Sequence, residues 1–153
     1  MKNNIPQKSK PERAQSLVEF AISLLLILTI LTGAVEVSLA LFEYITLSNA
    51  AQEGALYGSI NPNDGLSIRA RVRDAANDGV MLKDDQIGVG IMGSGPCEKT
   101  DAGTTNQIKV TITYWHQIMM PLVGTFVGEL VDGKKVIRMD VSATNTILQP
   151  ACP

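Results

Sequence analysis

The sequence predicts an α+β protein in which a long N-terminal transmembrane α-helix extends into a small domain made of a short helix and a three-stranded antiparallel sheet. Three observations carry this. Between Ala14 and Ile60 there is no Lys, Arg, His or Pro, and from Phe20 to Phe42 the only charged residue is Glu36. One later stretch places apolar residues at helical spacing. Three further stretches alternate apolar with polar residues, the pattern of strands that bury one face.

Phe20 to Phe42 is 23 residues long, more than the roughly 20 that a helix needs to cross a bilayer's hydrocarbon core. Leu24 to Leu28 is an unbroken apolar run, where a soluble amphipathic helix would turn a polar face to water. A fully buried helix would need a larger surrounding domain than the rest of the chain can build. The helix is therefore assigned to residues 15–60, with residues 20–42 in the membrane. From Glu43 onward it turns polar and runs out into water. There Ala50, Gly54 and Gly58 recur every four residues and form a stripe of small side chains, which lets another element approach closely. Either the domain's own sheet fills that stripe or a helix of another subunit does. Asn61-Pro62-Asn63-Asp64-Gly65, a cluster of turn formers, ends the helix.

Residues 1–14 form a basic leader, with Lys2, Lys8, Lys10 and Arg13 against Glu12. Pro6 and Pro11 predict that Met1 to Glu12 holds no helix. Residues 14–68 contain five acidic groups and no basic one. Positive flanks stay cytoplasmic, so the expectation is a single pass through the cytoplasmic (inner) membrane, N-terminus inside, with an extracytoplasmic domain of residues 61–153. Cys97 and Cys152 both fall on that outer side, where a disulfide is allowed. Closing the loop between them would contribute roughly 4 kcal/mol in the chain-entropy picture; two free thiols are the alternative.

In the domain, Ile68, Val72, Ala75, Ala76 and Gly79 fall at helical spacing, with Asp64 or Ser67 to cap the start and Gly79 to end the helix. The strands are read from Ile87, Val89 and Ile91; from Ile108, Val110, Ile112 and Tyr114; and from Ile137, Met139, Val141 and Ala143. Met92 to Asn106 reads as an exposed loop. Met119, Leu122, Val123, Phe126, Val127 and Leu130 recur at three- and four-residue intervals behind Pro121, which suits a helical first turn. That segment is assigned to the core, with a hydrophobic rim resting on the membrane surface or on a partner as the alternative.

No catalytic constellation is present in the sequence. His116 is the one histidine, so a Ser or Cys nucleophile has a single base available to it and nothing that places the two together; His116 is read as structural. Two Cys and one His at no ligand spacing do not make a zinc site. Gly88-Val89-Gly90 lacks the rest of a phosphate-cradling loop, and Asp84-Asp85 reads as a turn. A net charge of −2 gives no general basis for binding nucleic acid, and Arg69, Arg71 and Arg73 lie near Asp74 and Asp78 as a solvated face. The expectation is a non-enzymatic protein with no cofactor, no nucleic-acid partner and no small-molecule substrate.

Two carboxylates sit in or beside the apolar run. Glu19, at its start, must reach the interface or find a cation. Cleavage after Ala14 would create an α-amine on Gln15, one helical turn away and available to a neighbouring subunit's carboxylate. Glu36 lies about 25 Å further along the helix axis, near the outer boundary, where it either reaches the headgroups or contacts a partner helix.

These residues resemble a family. Arg13-Ala14-Gln15-Ser16-Leu17-Val18-Glu19-Phe20-Ala21 is similar to the start of type IV pilin-like proteins, in which a prepilin peptidase cuts just before the helix and a glutamate stands fifth in the mature chain. The closer resemblance is to the TadE-like proteins of tight-adherence (Flp) pilus systems. Val18-Glu19-Phe20-Ala21, the leucine-rich run Leu24 to Leu31, Glu36, and Ala50-Ala51-Gln52-Glu53-Gly54-Ala55 carry it. Ala14 stands where that family usually has glycine. The resemblance implies a minor pilin or pseudopilin whose partners are other pilin-like subunits, the Flp pilus assembly machinery and the prepilin peptidase. Glu19, Glu36, Ala50, Gly54 and Gly58 are then candidate assembly contacts. The alternative is an uncleaved single-pass anchor whose outer domain is a binding module.

Overall fold

The computed structural model describes residues 11–77, 79–93, 106–120, 124–125 and 127–148, with side chains from Ala14 onward. Its first element, α1, runs without a break from Pro11 to Ile60, about 75 Å at the usual rise. The helix thus starts inside the stretch that prolines were expected to keep irregular. Pro11 is tolerated because it stands at the first position, where its missing N–H has no intrahelical acceptor and its fixed φ is already helical. Thr29, Ser38 and Thr46 each donate a hydroxyl hydrogen bond to the carbonyl four residues back, at 2.8, 2.8 and 2.9 Å, and Thr32 does the same to Leu28. Each hydroxyl is satisfied within the helix, so it can sit in an apolar stretch without a partner from outside.

The second helix, α2, spans Gly65–Ala76. Asp64 caps it, its Oδ1 accepting from the Ser67 amide at 3.1 Å. Ile68, Val72 and Ala76 are buried as their spacing predicts, while Ala75 is exposed. A single 3-10 turn at Asp84–Gln86 confirms the Asp84-Asp85 turn and leads into the sheet. Its strands are β1 (Ile87–Met92), β2 (Gln107–Gln117), β3 (Glu129–Val131) and β4 (Lys134–Thr146), all antiparallel, in the order β1-β2-β4-β3.

Four strands, not three, make this sheet. Among its described residues, the segment expected to be an amphipathic core helix is helical at residues 124–125 alone, and Leu130 belongs to β3. Asp132 and Gly133 both have positive φ, 49° and 76°, as a two-residue hairpin with the twist of its flanking strands requires. Pairing of Leu130 with Lys135 and Val131 with Lys134 then fixes β3 at the sheet edge. Met119, Val127 and Leu130 are exposed rather than core; Leu122, Val123 and Phe126 lie outside the described residues.

The core fills the space between the outer half of α1, α2 and one face of the sheet. Leu47, Ala51 and Ala55 of α1 meet Ile68, Val72 and Ala76 of α2 and Ile108, Val110 and Ile112 of β2. Each fully buried Leu or Ile contributes about 1.5–3 kcal/mol relative to exposure. Ile108 lies against Gly58, whereas His116 reaches Glu36. β2 therefore descends along α1 from its far end toward the exposed apolar stretch.

Candidate functional site

Strand alternation puts Ile108, Val110, Ile112 and then His116 on the buried face of β2. Helical spacing puts Glu36 and Glu43, two turns apart, on one side of α1. The two elements meet with the imidazole between the carboxylates. His116 Nδ1 is 2.7 Å from Glu43 Oε2, and Nε2 is 3.3 Å from Glu36 Oε1. The Met119 amide donates to the same Glu36 Oε1 at 3.0 Å. Glu36 is 2 % and His116 4 % exposed; Glu36 Oε2 is buried with no hydrogen-bond partner among the described residues.

A neutral imidazole has one N–H and an imidazolium two. Two carboxylates facing the two ring nitrogens are therefore satisfied by an imidazolium, or by a neutral ring beside one protonated glutamate. Tyr114, the preceding inward position, has its hydroxyl pKa raised, first by burial and then by the negative charge of Glu43. The ring nitrogens point in opposite directions, toward different glutamates, so the three side chains do not converge on one point as metal ligands do; no metal-binding group of three occurs among the described residues. What the cluster can do is mechanical: it holds the lower end of the sheet to α1.

Glu36 thus has hydrogen-bond partners within its own chain. His116, read as a structural residue, is one, and its position on the apolar parity of β2 was the available signal. Ala50 is fully buried. A Cβ on Gly54 would collide with Val72, and one on Gly58 would lie 2.6 Å from Ile108 Cδ1 and 3.1 Å from Ile68 Cδ1. The small stripe is filled by α2 and β2 of the same chain.

Ala14, Gln15, Val18, Glu19 and Ile22 line a shallow surface groove near the helix start, with Glu19 exposed. Cys97 and Cys152 lie outside the described residues. Of the three arginines, Arg71 pairs with Glu53 at 3.9 Å and lies over the Tyr57 ring, and Arg73 pairs with Asp84 at 2.8 Å.

Every large apolar side chain from Leu17 to Val35 is at least 44 % exposed, and the helix over Ala14–Ile60 is long and apolar enough to cross a membrane by length and composition. Such a rod, with an α+β head docked on its second half, has the form of a single-pass anchored protein. Residues 14–56 match the family model described as TadE-like protein; over that segment the chain is similar to TadE-like proteins. No curated protein and no solved structure matches the chain.

Proposed function

We propose that this chain is a TadE-like minor pilin or pseudopilin that acts in assembly of a Flp-type pilus as a structural, non-catalytic subunit. The observation that carries the reading is the match over residues 14–56, which takes in the exposed apolar run and both membrane carboxylates. In this reading α1 inserts in the cytoplasmic membrane with the leader inside and the head outside. A prepilin peptidase removes residues 1–14. The new α-amine of Gln15 then satisfies Glu19 of an adjacent subunit, and apolar helices pack together as subunits leave the lipid. The exposed groove around Glu19 supports this, because it leaves that carboxylate open to a neighbour. The head contributes no reaction; its docking on α1 presents a fixed surface to the assembly machinery.

Intact-mass analysis of the mature protein, combined with separation of sheared pili from membranes, tests the reading. Loss of residues 1–14 and recovery with pili or with their membrane base are expected. Retention of the leader with no pilus association would favour the uncleaved anchor bearing a binding module.

A further inference from the structure

We propose that the lower edge of the head is itself a membrane contact: Met119, Val127 and Leu130 enter the interfacial layer of the bilayer that α1 crosses. The inference rests on the anchor reading of α1 and adds a second point of attachment to it. Residues 17–35 span about 28 Å of helix, close to the roughly 30 Å of a hydrocarbon core, which sets the outer boundary nearer the N-terminus than the span of residues 20–42 read from the sequence. The outer boundary then falls at Glu36, where His116 and the Met119 amide receive the carboxylate in place of water. That contact fixes Met119 at the same level.

Sheet register brings the β3–β4 hairpin there too. The Ile118 amide donates to the Lys135 carbonyl at 2.9 Å, and Lys135 pairs with Leu130. Met119, Leu130 and Val127 are 74, 66 and 51 % exposed, so an apolar rim stands beside the apolar rod at the height where lipid begins. Lipid is the occupant this continuity selects. Glu129 and Asp132 offset Lys134 and Lys135 in the hairpin, so attraction comes from apolar burial, and the lysine stems can lie along the surface with their ammonium groups in the headgroups. Anionic lipid is not required.

The full chain carries one tryptophan, Trp115, so a Trp115→Phe background gives a silent starting point for single reporters. Leu26→Trp probes the rod, Leu130→Trp the rim and Ser142→Trp the exposed outer face of β4. Each variant is placed in phosphatidylcholine vesicles whose chains are brominated near the headgroup or near the bilayer centre, with and without phosphatidylglycerol. The expected result is loss of emission at Leu26→Trp with the deep quencher and at Leu130→Trp with the shallow one, unchanged by phosphatidylglycerol, while Ser142→Trp keeps its emission. Unquenched Leu130→Trp beside quenched Leu26→Trp overturns the proposal alone. If its emission is also blue-shifted in proportion to protein density, a second copy covers the rim. Unquenched Leu26→Trp overturns the anchor reading, and the rim contact with it.

Discussion

His116 Nε2 lies 3.3 Å from Glu36 Oε1 although 80 positions separate them. That contact ties the end of β2 to the middle of α1. The same ring reaches Glu43 two turns further along the helix, so the sheet is gripped at two points on one face of the rod. Between this clamp and the filled Gly54–Gly58 stripe, the outer half of α1 is held to the head at both ends.

Removing Glu36 leaves His116 Nε2 and the Met119 amide without their acceptor, and removing His116 leaves the buried Glu36 carboxylate with the Met119 amide alone; an unsatisfied buried polar group costs about 1–3 kcal/mol. Glu36→Ala and His116→Ala are therefore expected to lower head stability by that order, measured by urea unfolding in detergent micelles. Glu36→Gln costs less, because its amide oxygen still accepts from Met119. In the Glu36→Gln/His116→Gln pair the two losses are expected to fall short of their sum, as for residues sharing one network.

The glycines separate internal packing from packing between subunits. Gly54→Ala and Gly58→Ala force a Cβ into Val72 and Ile108 and are expected to destabilise the isolated head by about 1–3 kcal/mol. Gly33 has nothing within 4 Å of its would-be Cβ, and Gly33→Ala should be neutral or stabilising by up to about 1 kcal/mol through helix propensity. Thermal unfolding of the three variants in micelles at low protein concentration checks the ranking.

Tyr114 sets an alkaline limit. Its folded-state pKa lies above the ordinary tyrosine value because of burial and, second, Glu43. The unfolded chain therefore loses this proton first as pH rises. The associated stability is full below the unfolded pKa of about 10 and is lost as pH climbs toward the folded value. Tyr114→Phe is expected to flatten the alkaline limb of the stability profile, and Glu43→Gln to flatten it in part by removing the second cause of the raised pKa, both followed by circular dichroism across pH.

Much of this architecture follows from local pattern. The long first helix, the Asn61–Gly65 break, the Asp64 cap and the alternation of β1, β2 and β4 each have a short-range physical cause, and the structure carries all of them. β3 is hidden because apolar residues from Met119 to Leu130 happen to fit a helical period, while its hairpin signal is the single Asp132-Gly133 pair, by its tolerance of positive φ. The clamp was half visible. Glu36 and Glu43 share a helix face and His116 shares the buried parity of β2, but which face meets which depends on long-range docking that no local pattern encodes.

Cys97 and Cys152 are predicted to be joined, since both follow the span and an outer location permits oxidation. Alkylation of the unfolded, unreduced protein should add no mass, and alkylation after reduction should add two labels. Labelling without reduction would assign both as free thiols.

The central claim is that α1 carries residues 61–153 across the cytoplasmic membrane. Fusion of alkaline phosphatase, and separately of β-galactosidase, after Pro153 tests it most directly, because each reporter works on only one side. Phosphatase activity with a silent β-galactosidase is the predicted result; an inactive phosphatase with an active β-galactosidase would contradict the account.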